Sequence, residues 1–157
     1  MKIIKTFILS VMCMMIGLMI VDFGANNCKA ANISDKTWSF ALSLTNTVRQ
    51  FVQKEAKDND SYIYVKWSST NGGNLSKISV APYGYRGTSR FFAGTRAEQD
   101  REYIVPHTGA YFLTNYVNEC GGDAAVVSFR GYVGYGNAVG KWSPDSIGSY
   151  TVLSQLR

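Results

Sequence analysis

Histidine occurs once in the 157 residues, cysteine and proline three times each, and charged side chains make up only 17% of the chain. Each scarcity removes a class of chemistry. With His107 as the single imidazole, a histidine-based metal site is excluded, and zinc would have to rely on carboxylates and one thiolate. No "GxSxG", phosphate-cradling glycine loop or calcium loop is present. The longest apolar run, "TFILSVMCMMIGLMIV" from Thr6 to Val21, has 16 residues, short of the roughly 20 that a spanning helix needs. Nucleic-acid binding has no motif behind it.

Cysteine also limits what the thiols do. Cys13 and Cys28 lie in the first 30 residues, leaving Cys120 in "NECGGD" without a nearby partner. A nucleophile and base built from Cys120 and His107 meets a geometric obstacle. A strand between them separates them by about 26 Å, a helix by about 12 Å, and hydrogen-bond reach is about 3 Å. The carboxylates Glu98, Asp100, Glu102, Glu119, Asp123 and Asp145 all fall in expected loops or turns, where they read as solvated surface and not as the paired acids of one cleft. These observations predict no catalytic residue, no cofactor and no enzymatic activity.

The first 30 residues have the order of an export signal. Lys2 and Lys5 precede the apolar run, and "DFGANNCKAAN" closes it. Cys28 and Ala30 supply small side chains at the −3 and −1 positions for a cut before Ala31. An uncleaved membrane anchor is the alternative; lipidation of Cys28 fits poorly behind Asn26 and Asn27. Removing Lys2, Lys5, Lys29 and Asp22 leaves 13 basic against 10 acidic side chains, a net charge of +3 over the residues from Ala31. That segment is expected to be one domain, long enough to bury a core without staples. Arg86, Arg90, Arg96 and Arg101 are interleaved with Glu98, Asp100 and Glu102, which reads as a solvated loop. Attraction to an anionic cell wall or lipid surface is the alternative.

What the chain has in quantity is aromatic residues, at 13%, and 15 glycines, in short alternating runs between turn residues, which predicts an all-β domain. "TWSFALSLT" places Trp38, Phe40, Leu42 and Leu44 on one face. "SYIYVKWSS" puts Ile63, Val65 and Trp67 against Tyr62, Tyr64 and Lys66; "TNGGN" then predicts a hairpin into "LSKISVAPY". A second hairpin is expected from "AYFLTNYVNE" through "CGGD" to "AAVVSFRGYV", with Val127, Phe129 and Val133 inward and Ser128, Arg130 and Tyr132 outward. There Cys120 opens the turn, and Gly121 and Gly122 supply positive φ. Residues 46–57 and 109–119 are legible as helix or as strand. "GYGNAVG" reads as a glycine-rich loop, "TRAE" as a single capped turn, and "KWSPDS" as a type I turn anchored by Trp142. Six to eight strands in one domain predict an antiparallel β-sandwich, with a partly open barrel as the alternative.

Outward tyrosines offer faces for sugars, lipids or proteins, and Tyr62, Tyr64, Tyr83, Tyr85, Tyr132 and Tyr135 are the candidate binding surface. The competing reading is that such rings pair across strands to support the sheet. An unpaired Cys120 thiol on an exported chain predicts a minor disulfide-linked homodimer.

The export signal, "SFALSL", the "LTNYVNE" and "SFRGY" segments and the late "W-S-P-D-S" turn together resemble a family of small exported proteins of Gram-positive bacteria, described only as a domain of unknown function. The "AVGKW" run is similar to lactococcin 972-type bacteriocins, a resemblance that implies a small β-sandwich acting at the envelope of sensitive cells. Two roles follow as expectations. One is a secreted, non-catalytic sandwich that binds cell wall, lipid surface or another protein; the other is a bacteriocin-like toxin.

Overall fold

A computed structural model describes residues 31–45 and 48–154. The proposed signal, with Cys13 and Cys28, lies outside the described residues, as do Asn46 and Thr47. The described chain has no helix and forms eleven strands: β1 (Lys36–Ser43), β2 (Gln50–Phe51), β3 (Glu55–Ala56), β4 (Ile63–Gly73), β5 (Lys77–Arg86), β6 (Ser89–Phe92), β7 (Tyr103–Val105), β8 (Gly109–Leu113), β9 (Ala124–Val133), β10 (Tyr135–Ser143) and β11 (Thr151–Val152). They build two sheets of a β-sandwich. The first runs β1-β10-β4-β8-β11; the second runs β2-β9-β5-β6, with β3 also on β9 and β7 also on β5. All pairs are antiparallel except β8 with β11. β2, β3, β7 and β11 have only two or three residues each, which accounts for the count above the expected six to eight.

The core follows from the alternation of side chains. Trp38 and Leu42 of β1 are buried, as are Ile63, Val65 and Trp67 of β4, and Trp38 stacks on Phe129 of the opposite sheet with ring centroids 4.3 Å apart. Two of the three buried indoles donate to carbonyls: Trp38 to that of Lys141 at 3.1 Å and Trp67 to that of Ser69 at 3.0 Å. Leu44 departs from the expected pattern. It lies one residue past β1 and is exposed.

Neither expected long hairpin forms. β4 pairs with β10 and β8 while β5 pairs with β9, β6 and β7, so the chain changes sheets between Gly73 and Lys77, with Leu75 buried at the crossing. The same switch separates β8 from β9. The "NGG" signal serves the strand itself. Gly73 lies opposite Gly136 of β10 at φ 90°, and a Cβ there would collide with the Tyr135 carbonyl. The "GYGNAVG" segment is likewise strand β10 and not a loop. Its Gly140 leaves room for the Trp38 indole and the Lys66 carbonyl, both of which a side chain would strike. Glycine within a strand here marks close backbone approach, the alternative meaning of a turn residue.

Between Ala124 and Phe129, β9 is buried on both faces. Ser128, expected outside, is 1% exposed, and Val133, expected inside, is exposed. Of the helix alternatives, residues 50–51 and 55–56 are strand, 109–113 are strand, and 117–121 form a turn.

Candidate functional site

Asp145 organises one end of the sandwich. The "KWSPDS" segment was expected as a type I turn at the surface; residues 144–145 form a bend after the buried Trp142, and both Asp145 and Lys57 are fully enclosed, with 0% of either side chain exposed. This corrects the reading of Asp145 as solvated. Lys57 Nζ donates to Asp145 Oδ1 at 2.6 Å and to the Ser61 carbonyl at 2.8 Å. Backbone N–H groups of Asn32 and Asp58 donate to Oδ2 at 2.7 and 3.0 Å. Burial pulls the Lys57 amine below its usual range, and the Asp145 contact opposes that shift. A buried charge needs a partner and full hydrogen bonding to persist, and Asp145 obtains both by joining the segments around Asn32, Lys57–Ser61 and Ser143–Ser146. The Ser146 N–H completes the tie, donating to Ser61 Oγ at 3.0 Å.

From this hub the chain runs as a strap, residues 146–150, over the outer face of the first sheet. Two clefts flank the strap and share Ser146. One, of about 240 Å³, is bordered by Asp35, Tyr64, Asp145 and Tyr150; the other, of about 410 Å³, by Asp60, Tyr62, Phe112, Asn115 and Glu119. The register of β4 and β8 places Tyr64 opposite Phe112 on this outer face. Tyr62 stacks on Phe112 at 5.3 Å and 13°, Tyr150 meets Phe112 edge-on at 5.2 Å, and Tyr64 leans on Tyr150 at 5.3 Å. Tyr62 and Tyr150 are the exposed members, at 41% and 46%. Burial, and next Asp35, raise the Tyr64 hydroxyl above its usual range, so it stays protonated and a donor. Among the described residues no Lys or Arg borders either cleft, and no ion pair holds Asp60 or Glu119.

The chain belongs to the DUF2712 family. Residues 26–146 match that family, whose description is a protein of unknown function. No curated protein and no solved structure matches the chain. The matched DUF2712 segment takes in β1 to β10 and the Asp145 hub, and ends before Tyr150.

Within this DUF2712 chain the six candidate tyrosines do not share a surface. Tyr62 and Tyr64 border the clefts. Tyr83 is 5% exposed on the outer side of the second sheet, its hydroxyl accepting from Arg49 at 2.8 Å, and Tyr85 lies beneath Lys54. Tyr132 is half-buried on β9, and Tyr135, 61% exposed, borders a third cleft at the far end of β10. Phe112 and Tyr150 were missed as site residues. Phe112 lies in the 109–119 segment that is legible as helix or as strand, and no local pattern indicates that Tyr150 folds back onto it from a point 38 positions later.

Glu102 is a second correction among the carboxylates. Only 10% of its side chain is exposed, and it holds Arg49, Arg130 and Ser79 together. Arg86 pairs with Glu98, while Arg90 covers Phe51 and Arg96 covers Tyr116. "TRAE" forms its expected single turn, the Thr95 Oγ1 accepting from Gln99 N at 3.0 Å.

Cys120 and His107 engage different neighbours. His107 Nδ1 lies 3.0 Å from the Tyr111 hydroxyl; the half-buried Cys120 Sγ lies 3.8 and 3.6 Å from the Thr95 and Arg96 carbonyls. Burial, and after it Glu98, push the thiol up, so little reactive thiolate forms at neutral pH. The turn at Cys120 joins two sheets and closes no hairpin; Gly121 has φ 74°, and Gly122 does not have positive φ.

Proposed function

We propose that this protein is an exported, non-catalytic binding module whose ligand seats on the aromatic face around the 146–150 strap. One observation carries the reading: Tyr62, Tyr64, Phe112 and Tyr150 contact one another beside two clefts, and no cation covers them among the described residues. Sheet support alone would not require clefts beside the rings, whereas concave sites with a few polar groups suit binding. The basic start and apolar run of the first 30 residues support export. The non-catalytic reading draws on the raised Cys120 thiol and on the engagement of His107 with Tyr111.

The test is co-sedimentation of the secreted chain with purified Gram-positive cell walls, using Tyr62→Ala with Tyr150→Ala. Retention of the parent and loss in the double variant is the expected result; equal retention of both would overturn the site. Mass spectrometry of protein from culture medium checks export and the cut before Ala31. A toxin directed at the envelope could use the same surface, and growth inhibition of related strains by the purified chain would reveal it. We favour the binding module because the resemblance behind the toxin rests on a short terminal run.

A further inference from the structure

We infer that the ligand of this face is an uncharged oligosaccharide that crosses the strap and occupies both clefts. The inference rests on the binding reading above and adds the class of ligand. Pyranose rings present an apolar C–H face and a rim of hydroxyl groups, and the two halves of the site match these in turn. Tyr62 and Tyr150 offer exposed ring surface, and aromatic faces bury apolar area at little cost in side-chain freedom. Because the Phe112 and Tyr150 rings stand at 88° to each other, the surface is bent, which suits successive sugar rings better than one flat aromatic ligand.

The polar groups combine carboxylates with hydroxyls, among them Tyr64, Tyr150 and Ser146. Ionised carboxylates accept and do not donate, and Asp60, Glu119 and Asp35 border the clefts. The Asn115 amide already donates to the Ser61 carbonyl at 3.0 Å. Sugar hydroxyls both donate and accept, and so answer the carboxylates and the protein hydroxyls alike. Charge then separates the ligand classes. With carboxylates present and no bordering Lys or Arg among the described residues, an anionic chain meets repulsion and finds no cation on the cleft walls to pair with. A cationic one finds its opposite charges partly answered: Asp35 lies 3.5 Å from Lys141, and the Lys57 ammonium beneath the clefts acts within range of Asp60 and Glu119. The larger cleft, about 410 Å³, falls within the roughly 300–1,000 Å³ of small-ligand sites.

The experiment applies the secreted chain to an array of uncharged, amino-bearing and anionic oligosaccharides, with titration calorimetry on any that are retained. Binding confined to uncharged members is expected. Tyr62→Ala should weaken it by about tenfold or more, and Asp60→Asn should weaken it by a smaller factor. Lys54→Ala, on the opposite sheet, should leave it unchanged; circular dichroism confirms that each variant is folded. Binding confined to charged members, or to none, overturns the ligand class. If cell-wall retention nevertheless persists and still requires Tyr62 and Tyr150, the binding face stands and only the sugar assignment falls; if retention ignores both tyrosines, the face falls as well.

Discussion

On the outer side of the β2-β9-β5-β6 sheet, Phe51, Tyr83 and Tyr85 each lie beneath an arginine or lysine, while on the other sheet Tyr62, Tyr64, Phe112 and Tyr150 pack against one another, with no Lys or Arg over them among the described residues. The residue types are alike, and their surroundings decide their use. Arg49 reaches Tyr83, Ser128 and Asp100 at 2.8, 3.3 and 2.7 Å and also pairs with Glu102, which closes that face with a hydrogen-bonded layer. Such a layer leaves little for a ligand to satisfy. On the strap side the polar groups bordering the rings include Asp60 and Glu119, which form no ion pair among the described residues, and clefts replace the layer. An aromatic residue in a β-sandwich is therefore informative about binding only after its covering groups are known.

The contrast can be broken most forcefully from below. Asp145→Ala leaves the Lys57 ammonium buried without its partner, and a loss of about 3–5 kcal/mol in urea-measured stability is expected. The double change Lys57→Met with Asp145→Leu should recover most of that loss; if the single change costs under about 1 kcal/mol, Asp145 is not the hub of the strap. On the closed face, Arg49→Ala removes a charged donor from Tyr83 and Glu102 and is expected to cost about 1–3 kcal/mol, with cell-wall retention intact. A loss of retention in a folded Arg49→Ala protein would mean that the closed face binds.

Tyr62→Ala should show the reverse, with a stability change under about 1.5 kcal/mol, the scale of one aromatic pair, and with retention lost. Smaller still is the effect expected at Glu119, where Glu119→Gln should stay within about 0.5 kcal/mol, as for an exposed side chain without an ion pair. Last is Cys120. Because burial raises its thiol pKa, alkylation by iodoacetamide should be slower at neutral pH than for an unstructured cysteine peptide and should accelerate only above the usual thiol range. Disulfide dimer under air should accordingly be a minor band on a non-reducing gel; a predominant dimer would show that the thiol is reached more easily than its carbonyl neighbours suggest.

Much of the fold was legible locally. In β1 and β4 the alternation alone named Trp38, Phe40, Leu42, Leu44, Ile63, Val65 and Trp67 as inward; Phe40 is half-buried, Leu44 is exposed and the other five are buried. Turn chemistry was legible as well, in the Thr95 turn. Pairing was not. "TNGG" and "CGGD" look like hairpin turns because glycine before a polar residue suits them, but the same glycines also suit a strand that crosses close to another backbone, and Gly73 is used in that way. Half of the site was visible: Tyr62 and Tyr64 were candidates from the sequence, whereas Tyr150 was not.

The sequence by itself determined the all-β class, the buried residues of β1 and β4 and the scarcity of histidine and cysteine, because each depends on residue type and on periods of two along a strand. The tertiary structure alone decided which strands share a sheet, which tyrosines are covered and where Asp145 lies. Those outcomes depend on partners far apart in the chain: Lys57 and Asp145 are 88 residues apart, and no local pattern announces that a lysine in "KDND" and an aspartate after a proline will leave water together. The desolvation cost of each charge is met by the other, by the Ser61 carbonyl that accepts from Lys57 and by the backbone N–H groups that donate to Asp145.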